Sequence, residues 1–598
     1  MQNYFSNKMK DFFKYVGATV VGLIAFTIIA GLIGIMSIVG MIASGEAAKT
    51  VSDNSVLVLN LSGQMQERTE DNLFEQFTGG VLGGLGLEQT LAAVQKAKDN
   101  ERIKGIYIEA GALGASYAQL QELRDALQDF RRSGKWIVAY GDIYTQGAYY
   151  VASAANKIYL NPQGMIDWHG IGAQPIFLKD VMAKFGVRMQ VLKVGKYKSA
   201  TETFTDDKMS DPNRAQTQAY INGLWQNVLK AVSDSRKISV GQLNQYADQM
   251  VTFGDPKDFV KAKFVDALLY ADQVKAEVKK MLKLNEDESI SQLSIADMGN
   301  VKEKSNKGEA IAVYYAYGDI VDSPMTGGLF GTDHQIVATE VTKDLERLMN
   351  DEDIKAVVIR VNSGGGSAYA SEQIWHQIEM LKQKKPVVIS MGGMAASGGY
   401  YMSCNSNWIV AEPTTLTGSI GIFGMFPDMS QLLTQKLGVK FDEVKTNRNA
   451  TFGTTARPMN EEEMSYLRAY IDRGYSLFRK RVADGRRMTT DQVEALAQGH
   501  VYLGQDALKI KLVDQLGGLD AAITKAAQIA KLKEYYTISY PEQKDFLAQF
   551  MEASNRGNNL DEQMRNAFGI YYEPFYLLKQ MNQLNPIQAR IPFIINVK

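Results

Sequence analysis

The sequence predicts an α/β protein in which two similarly folded domains follow an N-terminal membrane-spanning helix. Three observations lead to this prediction. An uncharged run of 28 residues lies near the N-terminus, most of the remaining chain repeats itself at a fixed offset, and short β-rich runs alternate with helical patterns. A chain of 598 residues is also longer than one hydrophobic core usually organises, which independently favours two or more domains.

The composition is that of an ordinary globular protein, with 45% hydrophobic and 22% charged residues. The net charge of -1 gives no indication of nucleic-acid binding. A single cysteine, Cys404, excludes an internal disulfide framework, and the four histidines form no cluster with metal-ligand spacing. We therefore expect neither a cofactor nor a metal.

Residues 16–43 are the predicted transmembrane anchor. About 20 apolar residues suffice to cross a bilayer, whereas a cleaved secretory signal has a shorter apolar core and a buried core helix has a polar face. Lys8, Lys10 and Lys14 precede the run, so the positive-inside rule keeps residues 1–15 in the cytoplasm. We expect a single-pass protein of the inner (cytoplasmic) membrane, with its large domains on the outer, periplasmic side.

The part after the anchor is a duplication with an offset of 251 residues. Residues 103–108 match residues 354–359, and residues 147–150 match residues 398–401 at the same offset. A chance match would not keep its register over this distance, so each half is a structural repeat of about 250 residues.

The repeats set the predicted domain boundaries. The first repeat covers residues 51–295, a polar linker covers 296–308, and the second repeat covers 309–536. Residues 537–598 form a C-terminal tail that has no counterpart in the first half and no assigned role. Within a repeat, the alternation of apolar β-rich runs with helical patterns indicates βαβ units around a buried, mostly parallel sheet.

Two segments of the second repeat carry chemistry, and the first is the glycine-rich turn at residues 362–367. Glycines let main-chain N–H groups approach a bound group and face developing negative charge. The spacing fits neither a phosphate-binding loop, which needs Gly-Lys-Ser/Thr, nor a dinucleotide-binding turn, which needs Gly-x-Gly-x-x-Gly. A tight strand-to-helix turn also needs glycine, so a structural role stays open.

The second segment is residues 391–401, where small residues surround Ser397 directly after a predicted strand. A helix that begins at Ser397 would aim its free amides at an oxyanion, which favours a reactive serine. Serine is also a common helix N-cap, and the segment alone supports both interpretations equally.

These two segments, with Leu-Thr-Gly-Ser-Ile-Gly at residues 416–421 and Tyr-Lys-Ser-Ala at residues 197–200, resemble signal peptide peptidase A, also called protease IV, in its long duplicated form. The resemblance covers roughly residues 50–535. It implies two tandem domains of Clp-protease or crotonase-like fold, built from ββα-type repeats, and a catalytic Ser/Lys dyad.

The resemblance assigns a nucleophile, a general base, a serine that positions the base and two oxyanion-hole amides, which are Ser397, Lys198, Ser419, Gly366 and Gly398 respectively. One position departs from the family pattern, because Gly364 stands where the family usually has proline.

The offset provides a check on the dyad from this sequence alone. The counterpart of Ser397 in the first repeat is Gln146, and the counterpart of Lys198 in the second is Asn449 or Ala450. The first repeat thus supplies a base without a nucleophile, and the second a nucleophile without a base. The site must therefore lie between two domains, and the sequence leaves open whether these belong to one protomer or to neighbours.

A lysine can serve as this base only if its pKa falls from about 10.4 to near 7, which burial in an apolar cleft can achieve. Ser397 would then attack a peptide carbonyl while the glycine amides hold the oxyanion. Lys198 would pass the proton to the leaving amine before water releases the acyl-enzyme.

The resemblance implies a membrane-anchored serine endopeptidase that degrades cleaved signal peptides and other extended hydrophobic peptides, and that forms homo-oligomers, as tetramers, without nucleic acid. A Ser-His-Asp hydrolase is disfavoured because the histidines serve no Gly-x-Ser-x-Gly elbow, although His169 lies opposite Ile420, next to Ser419, at the repeat offset. An acyl-CoA enzyme of the same fold would be expected to be soluble. The alternative in another class is a membrane scaffold in which catalysis is minor.

Overall fold

The computed structural model describes residues 26, 50–69, 84–301, 307–324, 334–542 and 587–590. The predicted anchor at residues 16–43 lies outside this part of the chain except for Phe26. Among the described residues, no helix combines the length and apolar character needed to span a bilayer.

The first repeat is a parallel sheet flanked by helices. Its strands are β1 (Ser55–Gln66), β2 (Leu85–Gly86), β3 (Ile103–Gly114), β4 (Trp136–Tyr144), β5 (Lys157–Ile166), β6 (Arg188–Lys193), β7 (Ala267–Leu268) and β8 (Gln292–Leu293). Its helices are α1 (Leu87–Asp99), α2 (Tyr117–Arg132), α3 (Gln146–Ala152), α4 (Lys179–Lys184), α5 (Glu202–Thr205), α6 (Asp211–Arg236), α7 (Val240–Asp248), α8 (Pro256–Lys261), α9 (Ala271–Leu282) and α10 (Ile295–Gly299), with a 3-10 turn at Val251–Phe253. The sheet order is β2-β1-β3-β4-β5-β7, and β8 pairs with β1.

The second repeat has the same plan. Its strands, with one from the tail, are β9 (Glu309–Tyr317), β10 (Asp319–Val321), β11 (Gln335–Val337), β12 (Ile354–Ser363), β13 (Gly365–Ser367), β14 (Val387–Ala396), β15 (Trp408–Ala411), β16 (Leu416–Gly418), β17 (Phe423–Asp428), β18 (Val501–Leu503), β19 (Gln515–Leu516), β20 (Tyr535–Tyr540) and β21 (Ile587–Arg590). Its helices are α11 (Ala338–Asn350), α12 (Ala368–Lys382), α13 (Gly398–Ser403), α14 (Glu461–Arg486), α15 (Thr490–Leu496), α16 (Gly504–Lys509) and α17 (Leu519–Ile529), with a π-helical turn at Leu432–Lys436. The sheet order is β18-β16-β14-β12-β9-β20, and β15 joins β14 to β19.

The central strands explain why these segments form a buried parallel sheet. β12 pairs in parallel with both β9 and β14, and its residues Val357, Val358 and Ile359 are all fully buried. Consecutive β-branched residues suit a strand that is covered on both faces, as parallel sheets are. The predicted α/β architecture of two tandem domains with mostly parallel sheets is confirmed.

The long helices α6 and α14 show the duplication most directly, because each has 26 residues and their capping is alike. Ser210 caps α6, and Asn460 caps α14 by accepting a hydrogen bond from the amide of Glu463. Both helices end at a residue in the left-handed conformation, Lys237 and Arg487.

A third sheet joins the two repeats, in the order β11-β10-β13-β21-β17-β6. Strand β6 comes from the first repeat and pairs antiparallel with β17 of the second, from Arg188 opposite Asp428 to Lys193 opposite Phe423. Residues that follow β6 are thereby carried to the carboxyl ends of the second repeat's strands, where the segments predicted to be reactive lie.

The structure differs from the sequence-based expectation at two boundaries. Residues 296–299, at the start of the expected linker, belong to helix α10, whose Met298 is fully buried in the first core. Residues 537–540, at the start of the expected tail, belong to β20, which pairs with β9 as β8 pairs with β1. Both segments are edge elements whose few apolar residues give little periodic signal.

Candidate active site

Ser397 lies at a strained strand-to-helix turn. It has φ 56° and ψ -112°, a conformation that costs a non-glycine residue about 1–3 kcal/mol. The turn is held by hydrogen bonds from the Ser397 amide to the Gly418 carbonyl at 2.8 Å and from the Tyr401 amide to the Ser397 carbonyl at 2.8 Å. The Ser397 hydroxyl makes no capping bond to helix α13. Ser397 therefore occupies the N-cap position without acting as the cap.

The Ser397 hydroxyl is instead bonded to the amine of Lys198. Lys198 Nζ lies 2.6 Å from Ser397 Oγ, and both residues are 0% exposed. The same amine lies 3.1 Å from Ser419 Oγ and donates to the Ser419 carbonyl at 3.1 Å. The structure thus brings together Ser397, Lys198 and Ser419 within a single chain, although 199 residues separate the lysine from Ser397.

Burial lowers the pKa of Lys198 well below its ordinary value of 10.5. The nearest acid downstream in sequence, Glu202, is engaged elsewhere: its carboxylate accepts hydrogen bonds from the Ser210 amide, the Ser210 hydroxyl and the Asn213 side chain. The environment of Lys198 therefore favours the neutral amine, which can accept a proton.

The loop that carries Lys198 fits against the second repeat through glycines. The Tyr197 amide bonds to the Gln498 carbonyl at 3.0 Å, and Gly499 has φ +80°. A Cβ atom on Gly499 would lie 2.6–2.7 Å from backbone atoms of Lys198, closer than real Cβ contacts come. Only glycine allows the two loops to approach this closely.

Ser419 stands on the next strand connection and is also in the left-handed region, with φ 49°. Its amide donates to the His500 carbonyl at 2.7 Å, which fixes the backbone whose hydroxyl and carbonyl both reach Lys198. Ser419 therefore contacts the lysine amine through both its hydroxyl and its carbonyl.

The two glycine amides assigned by resemblance lie on adjoining segments. Gly398 is the first residue of α13, and Gly366 is the central residue of β13. Gly365, between them in space, has φ +103°, and a Cβ there would lie 2.8 Å from the Gly398 amide nitrogen. The sequence argument did not single out Gly365, although its position in a three-glycine run was an available signal for this close approach.

The corresponding position of the first repeat is closed. The Gln146 side chain accepts hydrogen bonds from the His169 and Gly170 amides and donates to the Tyr117 hydroxyl at 2.9 Å. The His169 ring is hydrogen-bonded to Asp167, with 2.6 Å between His169 Nδ1 and Asp167 Oδ1. In the second repeat, Asn449 and Ala450 lie in an exposed turn. A hydrogen-bonded glutamine thus stands where the second repeat has its serine.

Gln216 of helix α6 is a further site residue that sequence reasoning missed. Its side chain donates to the Tyr197 carbonyl at 3.1 Å and to Ser199 Oγ at 3.2 Å, and it accepts from the Val501 amide at 3.2 Å. It thereby ties the loop of the lysine to the strand beside Ser419. The sequence carries no local motif for it, because its partners are up to 285 residues away.

A buried lysine whose neutral form is favoured, bonded to a serine on a strained turn, is an arrangement suited to nucleophilic attack on a carbonyl group. Comparison with known proteins agrees with this class. The family model described as Peptidase family S49 matches residues 129–285 and again residues 379–533, and a Clp protease model matches residues 329–407. The two matches to the first model start 250 residues apart, in agreement with the duplication.

Curated relatives extend over most of the chain. Protease 4 of Salmonella typhi is 38% identical over 514 residues, which cover 83% of this chain and 82% of that protein. Protease 4 of Haemophilus influenzae is 32% identical, covering 84% and 83%. The chloroplastic serine protease SPPA of Arabidopsis thaliana is 31% identical, covering 81% and 70%. This chain belongs to peptidase family S49 and is a serine protease, so the predicted family and enzyme class are confirmed.

Proposed function

We propose that this protease is a membrane-anchored endopeptidase that cleaves extended apolar peptides, including released signal peptides, with Ser397 as nucleophile and Lys198 as general base. The observation that carries the proposal is the 2.6 Å contact between Lys198 Nζ and Ser397 Oγ, with both groups fully buried. A charged lysine would be costly there, whereas a neutral one can take the serine proton.

The reaction follows from these positions. Lys198 accepts the hydroxyl proton as Ser397 Oγ bonds to the peptide carbonyl carbon, and the amides of Gly366 and Gly398 stabilise the oxyanion. Lys198 then donates that proton to the leaving amine, and an acyl-enzyme remains on Ser397. A water molecule, deprotonated by Lys198, hydrolyses the ester and restores the serine. Ser419 keeps the amine in place throughout.

An extended substrate is supported by the third sheet. The chain's own segment Ile587–Arg590 lies as strand β21 between β13 and β17, antiparallel to both. Its Ala589 is fully buried opposite Gly366, so main-chain pairing across this slot brings a peptide to the glycine turn. Backbone pairing in a slot between two strands recognises any extended peptide and leaves selectivity to the side-chain pockets.

Membrane anchoring rests on residues 16–43, whose uncharged length exceeds a bilayer span and whose flanking lysines orient the chain with its domains outside the cytoplasm. Self-association into a homo-oligomer, a tetramer by the family resemblance, is supported by exposed apolar side chains on one segment, among them Leu437, Phe441 and Val444. Val444 is 96% exposed.

The test is hydrolysis of a fluorogenic apolar peptide by the full chain in detergent. Ser397→Ala is expected to lower kcat at least about 10³-fold. Ser403→Ala is the matched control, because Ser403 is also fully buried and its hydroxyl donates to the Gly399 carbonyl within α13. Retention of activity by Ser397→Ala in folded protein would refute the assignment of the nucleophile.

A further inference from the structure

The strand that leads to Ser397 contains a bulge. Val361 of β12 pairs with Met391 of β14, and Ser363 pairs with Ala395. Between these two pairs β12 advances by two residues while β14 advances by four, so β14 carries the extra residues of the bulge. The backbone ladder is interrupted at residues 392–394, just before the reactive turn. The Asn362 side chain replaces part of it, because Asn362 Oδ1 accepts the Met394 amide at 3.1 Å.

A carboxylate of the first repeat sets the orientation of this asparagine. Asn362 Nδ2 donates to Glu67 Oε1 at 2.7 Å, and Glu67 immediately follows β1. If the amide were flipped, its oxygen would face the carboxylate and its NH₂ group would face the Met394 N–H, so neither hydrogen bond could form. Glu67 therefore determines that Asn362 presents an acceptor to the bulge.

Glu67 is itself held rigidly. Its carboxylate accepts from Arg360 Nε at 2.8 Å and from Gln119 Nε2 at 3.0 Å, and Glu67 is only 2% exposed. Arg360, fully buried on β12, is also paired with Glu122 of the first repeat at 2.7 Å. Two acidic side chains of the first repeat thus contact one guanidinium of the second.

The bulge is fitted to the first repeat without spare room. A Cβ on Gly392 would lie 2.9 Å from Glu67 Oε1, and one on Gly393 would lie 2.5 Å from Ser116 Oγ. The two glycines therefore allow the strand before Ser397 to lie directly on side chains of the first repeat. Because the bulge packs directly on Glu67, a shift of Glu67 would displace the bulge as well.

We infer that Glu67 is a positioning residue for peptide hydrolysis: through Asn362 it fixes the bulge before Ser397 relative to the turn Ser363–Gly366 that follows Asn362. The inference rests on the proposed function, in which Ser397 attacks and the glycine amides bind the oxyanion. The two segments meet tightly, since a Cβ on Gly399 would lie 2.9 Å from the Ser363 carbonyl oxygen. The first repeat then contributes the alignment of nucleophile and oxyanion donors in addition to Lys198.

The experiment compares Glu67→Ala with Glu122→Ala in the full chain in detergent. Both variants leave Arg360 with one buried carboxylate, but Glu122 bonds to Arg360 and the Leu519 amide instead of Asn362. We expect Glu67→Ala to lower kcat about 10- to 100-fold with little change in KM, because misplaced oxyanion donors cost less than deleted ones. Glu122→Ala should keep kcat within about threefold. Its unfolding temperature should nevertheless fall about as much as that of Glu67→Ala, because each variant removes one buried partner of Arg360.

Asn362→Ala is expected to reproduce the loss in kcat, and the double variant Glu67→Ala/Asn362→Ala should be no worse than either single variant, because one acts through the other. Inhibition by a peptide aldehyde, which forms the tetrahedral adduct, should weaken in parallel with kcat. Should Glu67→Ala fail to fold, Asn362→Ala with the aldehyde decides the question alone.

The inference is overturned if Glu67→Ala keeps the wild-type kcat, if Glu122→Ala loses as much, if the losses of the two single variants multiply, or if Asn362→Ala binds the aldehyde normally. Ser397→Ala in the same assay distinguishes a failure of this inference from a failure of the proposed function. If Ser397→Ala is inactive and Glu67→Ala is normal, this inference alone fails; if Ser397→Ala is active, the proposed function fails with it.

Discussion

Replacing Lys198 by methionine should inactivate the protease and, near neutral pH, make it more stable. Methionine keeps the length and apolar stem of lysine but has no amine to accept the Ser397 proton. Loss of a general base lowers the rate by at least about 10²- to 10⁴-fold. The stability change follows from the burial that lowers the pKa of Lys198.

The magnitude can be worked from linkage. An unfolded lysine has a pKa of about 10.4, so holding it neutral at pH 7 costs about 5 kcal/mol, which the methionine variant avoids. The variant loses three contacts of Nζ, to Ser397 Oγ and to two atoms of Ser419, at about 1 kcal/mol each. We therefore expect Lys198→Met to be about 2 kcal/mol more stable than wild type at pH 7.

The sign of this difference should reverse with pH. Between the folded pKa of Lys198 and about 10.4, the unfolded wild-type chain binds one proton more than the folded chain, so wild-type stability rises by about 1.4 kcal/mol per pH unit relative to the variant. Near pH 10 the variant should be the less stable protein. For the same reason, wild-type kcat/KM should fall as pH drops through the folded pKa and Lys198 becomes charged.

The assay is urea unfolding of both proteins, followed by tryptophan fluorescence, at pH 7, 8, 9 and 10. Lys196→Met is the control, because Lys196 lies in the same loop but is exposed. A stability difference that does not change with pH would show that folding leaves the protonation of Lys198 unaltered. The assignment of Lys198 as the base would then be wrong.

Three further changes test the surroundings of the dyad. Ser419→Ala should lower kcat about 10- to 100-fold at unchanged KM, because the lysine loses one of its anchors; an unchanged kcat would contradict a positioning role. Gly499→Ala should abolish activity, because its Cβ would meet Lys198 at 2.6–2.7 Å, whereas Gly453→Ala, at a similar φ of +77° but with open space, should stay active and lose only about 1–2 kcal/mol of stability. Removal of residues 587–598 should lower KM about 3- to 10-fold at unchanged kcat. The reason is that β21 lies in the slot between β13 and β17, and substrate can bind there only while β21 is displaced. An unchanged KM would show that β21 does not compete with substrate.

The sequence was sufficient for the features whose signal is local or periodic. The duplication, the buried parallel sheets and the chemical segments around Ser397 and Lys198 are all written in runs of adjacent residues. The sequence left open whether Ser397 is a helix cap, and the structure resolves this through backbone strain and the bond to Lys198. A cap requires no such strain, since ordinary caps are extended.

What the sequence could not provide are contacts across the chain that have no motif. Glu67 meets Asn362 from 295 residues away, and β21 reaches the glycine turn from the far end of the chain. A glutamate after an apolar strand normally predicts a solvated strand end, so the sequence around Glu67 does not indicate that this side chain is buried. Such contacts depend on how the two repeats dock, which periodicity does not encode.

The structure also explains why the first repeat keeps its full fold after losing its own site. Gln146 stands at the position that Ser397 has in the second repeat, and its side-chain oxygen accepts hydrogen bonds from the His169 and Gly170 amides, so this repeat has no nucleophile there. Yet the same repeat delivers Lys198 on the loop after β6, holds that loop with Gln216, and places Glu67 against the bulge before Ser397. Each contribution requires a rigid domain behind it, because a flexible segment could not keep the lysine amine 2.6 Å from the serine hydroxyl. The geometry of the Ser397–Lys198 pair therefore depends on the core of the first repeat.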